Sequence, residues 1–170
     1  VAEDLYPTIL EMAEVDDYQT VQPVDGKSIV RLLTKGSKAV RRAMDNGTIA
    51  NQKQANAFQI PESVSGIDPE REVLVHFPHQ WKPYQLHDID YMSALRKGDW
   101  KIVYRHREQT LELYNIAQDI SERHNLAASH PEKLREMADA LTAKFESYDA
   151  LLPTFRATGQ TIPMPNQLIK

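Results

Sequence analysis

Ten residues, Ser93-Ala94-Leu95-Arg96-Lys97-Gly98-Asp99-Trp100-Lys101-Ile102, constrain this chain more than any other stretch. Met92, Ala94 and Arg96 alternate with Ser93 and Leu95. Beyond Gly98-Asp99, Trp100, Ile102 and Tyr104 alternate with Lys101 and Val103. Period-two patterning on both sides of a Gly-Asp pair specifies two antiparallel strands joined by a tight turn. An earlier strand is expected where Val73, Val75 and Phe77 alternate with Leu74 and His76, ended by Pro78. A later one is expected where Leu111 and Leu113 alternate with Glu112 and Tyr114, after a polar turn through Arg107-Glu108-Gln109. The connections are too short for crossovers, so about four strands form one antiparallel sheet.

Such a sheet needs a cover, and the sequence supplies one. Leu134, Met137, Ala138, Leu141, Phe145 and Tyr148 recur at helical spacing, with Lys133, Arg135, Glu136 and Asp139 on the opposite side. Ser129 and Glu132 stand at the spacing of a capping box just before this run. The expected fold class is α+β, a small antiparallel sheet packed by one long C-terminal helix. This stripe is core, not a cofactor box.

The flanking segments are less regular. Asp4 opens a helix in which Pro7 is tolerated in the first turn, with Leu5, Ile9, Met12 and Ala13 on one face. Pro23 and Gly26 interrupt the chain before the short apolar run 29–33. From Lys35 to about Gly66 the periodicity dissolves into a surface excursion with some helix. From Pro153 onward, three prolines mark a tail that wraps or is disordered. The domain reading is 1–70 for the irregular leading part and 71–170 for the sheet and helix.

Composition narrows the function classes. The chain has 170 residues, a net charge of −4 and no cysteine. Dispersed lysines and arginines on an acidic chain argue against a nucleic-acid partner. No apolar run reaches the length of a membrane span. The lack of cysteine removes disulfides, thiolate metal sites and a cysteine nucleophile. Val1-Ala2-Glu3-Asp4 starts mid-pattern without an initiator Met, so upstream residues are expected.

Few residues invite chemistry. His76 and His79 are three apart and need a third ligand to hold zinc, whereas calcium prefers oxygen; no metal is expected here. The other reading has one imidazole packed and one exposed. Arg96 suits two-pronged binding of a sulfate or carboxylate, or a salt bridge to Asp99 or another carboxylate. Lys101 reads as a solvated strand position. Trp81, Tyr84, His87 and Tyr91 either stack on a sugar ring or anchor their own loop. Asp88 and Asp90 show no acid–base arrangement. Asp119 and Glu122 read as turn or capping residues before the long helix.

The order of short motifs resembles the closing segment of a type I, formylglycine-dependent sulfatase of the alkaline phosphatase superfamily. Asp4-Leu5-Tyr6-Pro7-Thr8-Ile9-Leu10 is similar to a helix near the end of that catalytic α/β domain. Val24-Asp25-Gly26-Lys27-Ser28-Ile29 is similar to the loop that follows it. Val75-His76-Phe77-Pro78-His79, Arg96-Lys97-Gly98-Asp99-Trp100-Lys101, Leu113-Tyr114-Asn115, Asn125-Leu126-Ala127 and Pro163-Met164-Pro165-Asn166 continue in the family's order, while 36–70 match nothing in it. The resemblance implies a parent enzyme, periplasmic or secreted, that hydrolyses sulfate esters on carbohydrates with formylglycine and calcium. A related phosphonate or phosphodiester hydrolase is the nearest alternative activity.

The same resemblance implies that residues 1–70 close the catalytic domain, and that His76, His79 and Arg96 reach a sulfated carbohydrate at the pocket rim. The partner would be the N-terminal catalytic domain. No catalytic residue is expected in this chain: it has no Cys-x-Pro-x-Arg or Ser-x-Pro-x-Arg, and Ser129-His130-Pro131-Glu132-Lys133 fails at the arginine. A stand-alone module that binds anionic glycans, or a structural interaction domain, is the alternative.

Overall fold

The structure is a computed structural model. It describes residues 2–15, 17–21, 24, 26–51, 54, 68–79 and 91–169. The chain divides into two compact units, Val1–Pro69 and Glu70–Lys170.

In the first unit, helix α1 spans Leu5–Met12 and helix α2 spans Ser37–Asp45, the latter entered through a π-helical turn at Leu32–Gly36. Asp4 stands at the N-cap of α1 but makes no side-chain cap bond. Its carboxylate instead accepts the Lys27 N–H at 2.9 Å, while the Thr8 hydroxyl accepts the Ile29 N–H at 3.0 Å and donates to the Asp4 carbonyl. One turn of helix thus clamps the loop 26–29. Gly26 makes the clamp possible, because a Cβ there would sit 1.8 Å from the Glu3 carbonyl oxygen. Pro7 and Thr8 are the buried positions of α1, whereas Leu5, Ile9 and Met12 are 55–67% exposed.

In the second unit, β1 (Val73–Phe77), β2 (Met92–Lys97), β3 (Trp100–Arg105) and β4 (Thr110–Asn115) form an antiparallel meander in the order 1-2-3-4. Lys97 pairs with Trp100, so Gly98-Asp99 is a two-residue turn, and Gly98 takes the φ of +55° that the turn needs. This register puts Ser93, Leu95, Ile102, Tyr104 and Leu113 on one face and Ala94, Arg96, Lys101, Val103 and Tyr114 on the other.

Helix α3 (Pro131–Ser147) covers the first face. Leu95, Ile102, Tyr104 and Leu113 meet Met137, Ala138, Leu141 and Phe145, with Ile162 of the tail closing the cluster. All but Ile162 are within 1% of complete burial. Burying each large apolar side chain contributes about 1.5–3 kcal/mol. Tyr148, expected on this stripe, is 39% exposed, because the helix ends at Ser147 before the stripe reaches it. The capping box is also not formed. The N-cap is His130 with Pro131 following, and the Ser129 hydroxyl donates to the Leu126 carbonyl.

The tail wraps the unit. Thr154 pairs with Thr161, the Tyr104 hydroxyl donates to the Pro163 carbonyl at 2.8 Å, and the Asn166 N–H donates to the Thr142 hydroxyl. At the free edge of β4, the Asn125 side chain accepts the Leu113 N–H and the Leu126 N–H donates to the Leu113 carbonyl at 2.7 Å. A loop therefore stands in for a fifth strand and protects that edge.

Leu141→Asp is expected to abolish cooperative folding of this unit. An unpaired carboxylate in a fully buried position costs several kcal/mol against a total stability of about 5–15 kcal/mol. Thermal melting followed by circular dichroism checks it; an unchanged midpoint would mean that the α3–sheet contact is not the core.

Candidate functional site

The inner face of the sheet carries a polar chain that the strand alternation alone makes visible only when extended by two residues. Ile102 and Tyr104 point inward along β3, and His106, next in that series, is 1% exposed. Ser93 lies inward on β2 and pairs directly with His76 on β1. The three side chains connect. His76 Nδ1 lies 2.7 Å from the Ser93 hydroxyl, and that hydroxyl lies 2.9 Å from His106 Nε2. His76 Nε2 reaches the Leu151 carbonyl at 3.1 Å, tying β1 to the segment after α3.

The carbonyl fixes the direction of every bond in this chain. Leu151 can only accept, so His76 Nε2 carries a proton and, in the neutral ring, Nδ1 accepts. Ser93 must then donate to His76 and accept from His106 Nε2–H. His106 Nδ1 is left as a bare acceptor, and it is buried without a partner. Both imidazoles are held neutral. Burial, with the neighbouring His76, pushes His106 down to about 4, and burial is also the main cause of the lowered pKa of His76.

His76 and His79 separate as a packed and an exposed imidazole. The His76 ring lies 5.1 Å from the Phe145 ring, while His79 is exposed and stacks on Phe77 at 4.4 Å. With both ring nitrogens engaged, His76 has no lone pair to offer a metal. Among the described residues, no group of three or more His, Asp or Glu side chains is placed to hold one. The described residues do not fit the calcium or the formylglycine that the resemblance implies for the parent enzyme.

Arg96 does not share a sheet end with the histidines. Its rung is Val73, three rungs from His76 and Ser93, or about 10 Å away. It also lies on the opposite face, with Ala94. Its Nε donates to the Gly98 carbonyl at 3.1 Å rather than to Asp99. The anticipated salt bridge is therefore replaced by a contact that braces the turn. Lys101 is not simply solvated, since its ammonium sits 2.7 Å from a Glu122 carboxylate oxygen. On the same face Arg105 pairs with Glu112 at 3.3 Å.

Asp119 behaves as a turn residue. Its carboxylate accepts the N–H groups of Arg123 and His124, and the His124 N–H is the main cause of its lowered pKa. Tyr91 carries the Arg107 guanidinium 4.2 Å from its ring centroid. Trp81, Tyr84, His87, Asp88 and Asp90 lie outside the described residues.

No family model matches the chain. It is 27% identical over 130 residues to a curated protein of Formosa agariphila named "Sulfatase", which covers 75% of this chain. The chain spans about a fifth of that relative's length, 19%. Among solved structures, BT4656 in complex with its substrate D-glucosamine-2-N,6-O-disulfate matches with a TM-score of 0.51. That match has 17% identity and covers 86% of this chain and 24% of the other. The resemblance to a sulfatase read from the motifs is borne out by the first of these, and the second shares the fold.

Stability is expected to fall as the pH drops from about 6.5 towards 4. The unfolded chain takes up protons on both histidines near pH 6.5, whereas the folded chain holds them neutral to lower pH, so acid favours unfolding. The loss should reach a few kcal/mol and be smaller in His106→Gln. Thermal melts from pH 7.5 to 4.5 check this; a flat profile would contradict the buried neutral pair.

Proposed function

We propose that this chain is the carboxy-terminal portion of a sulfatase, a sulfuric ester hydrolase, and that it helps to hold a sulfated carbohydrate for hydrolysis. The observation that carries this reading is the similarity to a sulfatase over 130 residues. The ordered motifs that produce the resemblance support it. Further support comes from α1, whose exposed Leu5, Ile9 and Met12 form an apolar stripe suited to packing against more of a catalytic domain. The nucleophile and the calcium site are assigned to the remainder of that protein, upstream of Asp4.

In this reading the present chain contributes position and specificity rather than bond cleavage. His79 presents an exposed imidazole beside the junction between Pro78 and Tyr91, where the Tyr91 N–H meets the His79 carbonyl. His76 contributes from behind: its bonds to Ser93 and Leu151 fix the strand that leads into His79. Arg96, roughly 16 Å from that junction along the sheet, would touch a different sugar residue of a longer glycan.

In the whole protein, His79→Ala and Arg96→Ala should each lower kcat/KM on the sulfated glycan. One charge-assisted hydrogen bond is worth about 1.5–3 kcal/mol, or roughly 10- to 150-fold. A small aryl sulfate that touches neither residue should be affected far less. Steady-state kinetics on the two substrates checks this. Equal losses on both, or none on the glycan, would remove these residues from substrate recognition. His76→Ala should in addition lower the melting temperature, because it breaks the Ser93 chain.

A further inference from the structure

Asn46 and Gly47 form the one Asn-Gly pair in the sequence, in the exposed turn that ends α2. An asparagine before glycine is open to attack on its own side-chain amide, because glycine leaves its main-chain nitrogen unshielded. Whether a fold permits the attack depends on the amide carbon, the attacking nitrogen and the room to bring them together.

All three favour it here. The Thr48 N–H donates to Asn46 Oδ1 at 3.1 Å. This bond folds the side chain back along the Gly47 peptide and sets a donor where negative charge would develop on the oxygen. The Gly47 N–H donates to the Met44 carbonyl at 3.1 Å, a bond at the exposed, fraying end of a helix. A Cβ at Gly47 would meet no atom of the described residues within 4 Å, so the turn can rotate without a clash. Asn115 and Asn125 supply the contrast. Their Oδ1 atoms accept the N–H groups of Ala117 and Ala127 at 3.2 and 3.0 Å, so their amides are polarised in the same way. The nitrogens that follow them belong to Ile116 and Leu126, and donate to the Asp99 and Leu113 carbonyls at 2.8 and 2.7 Å. Of these three asparagines, Asn46 alone has a nucleophile within reach.

We propose that Asn46 is a modification site at which the folded chain deamidates and isomerises, and that the product releases the end of α2. The Gly47 nitrogen gives its proton to hydroxide and bonds to Asn46 Cγ. Nδ2 takes a proton from water, which restores the hydroxide, and leaves as ammonia to close a succinimide ring. Water then opens either ring carbonyl, giving aspartate or isoaspartate at position 46; overall one water enters and one ammonia departs. Isoaspartate lengthens the main chain between positions 46 and 47 and so displaces Thr48 and Ile49. Ile49 is buried, and its N–H donates to the Ala43 carbonyl at 2.9 Å, which pins the turn to α2. The new carboxylate also stands at the negative end of the helix dipole. Nothing in this rests on the sulfatase reading.

Peptide mapping by mass spectrometry, after the whole protein is incubated in heavy-oxygen water at neutral to mildly alkaline pH, tests it. Position 46 should take up heavy oxygen and convert to isoaspartate in excess of aspartate, at a rate that rises with hydroxide. Opening an exposed turn costs little, so that rate should stay within about tenfold of the rate in the denatured chain. Asn115 and Asn125 should remain intact over the same period. Hydrogen exchange at the Ile49 amide should speed up in the aged protein but not in aged Asn46→Gln, whose longer side chain closes its ring far more slowly. A folded-state rate further below the denatured one, conversion of Asn115 or Asn125 as fast as Asn46, or unchanged Ile49 exchange after conversion would overturn the proposal. A glycan found on Asn46 would also overturn it, since Asn-Gly-Thr is an acceptor sequence and the sugar would occupy the leaving nitrogen.

Discussion

The register between β2 and β3 is the constraint on which the second unit depends. Lys97 and Trp100 close a two-residue turn, and Gly98 alone supplies the positive φ it requires. That turn sets Leu95 opposite Ile102 under the helix and Arg96 opposite Lys101 on the other face. A slip of one residue would exchange the two sets, placing Arg96 and Lys101 against Leu141 and Phe145. The same register brings Ser93 beside Tyr104 on one side and His76 on the other, so the polar chain under the sheet is a by-product of the turn.

The motifs that carry the family resemblance are, in this chain, devices that hold the fold. In Gly98-Asp99-Trp100-Lys101, the glycine turns, the Asp99 carbonyl accepts the Ile116 N–H, Trp100 stacks near His130, and Lys101 pairs with Glu122. Asn125 plugs the edge of β4. Asp4 and Thr8 clamp the loop at Lys27 and Ile29. A role in scaffold rather than in bond cleavage is the division of labour proposed for a segment that spans 19% of its curated relative.

Most of the architecture was legible because one face of each element is apolar at its own period. The four strands and α3 follow directly from alternation and from the spacing of Met137, Leu141 and Phe145. The site was less legible. His76 and His79 stand out in the sequence, yet Ser93 and His106 become visible only once register and alternation are carried past Tyr104. Arg96 looked close to the histidines because the turn follows them in sequence, whereas antiparallel pairing sends it to the far end of the sheet. The capping box failed because Pro131 took the first helical position and Ser129 turned back to Leu126.

In the function proposed above, this segment serves a sulfatase without cleaving bonds itself. The most direct measurement is release of inorganic sulfate from sulfated oligosaccharides, followed by ion chromatography, for the whole protein and for residues 1–170 alone. The expected result is release by the whole protein and none by the segment. Release by the segment, or none by the whole protein across sulfated oligosaccharides, would contradict it.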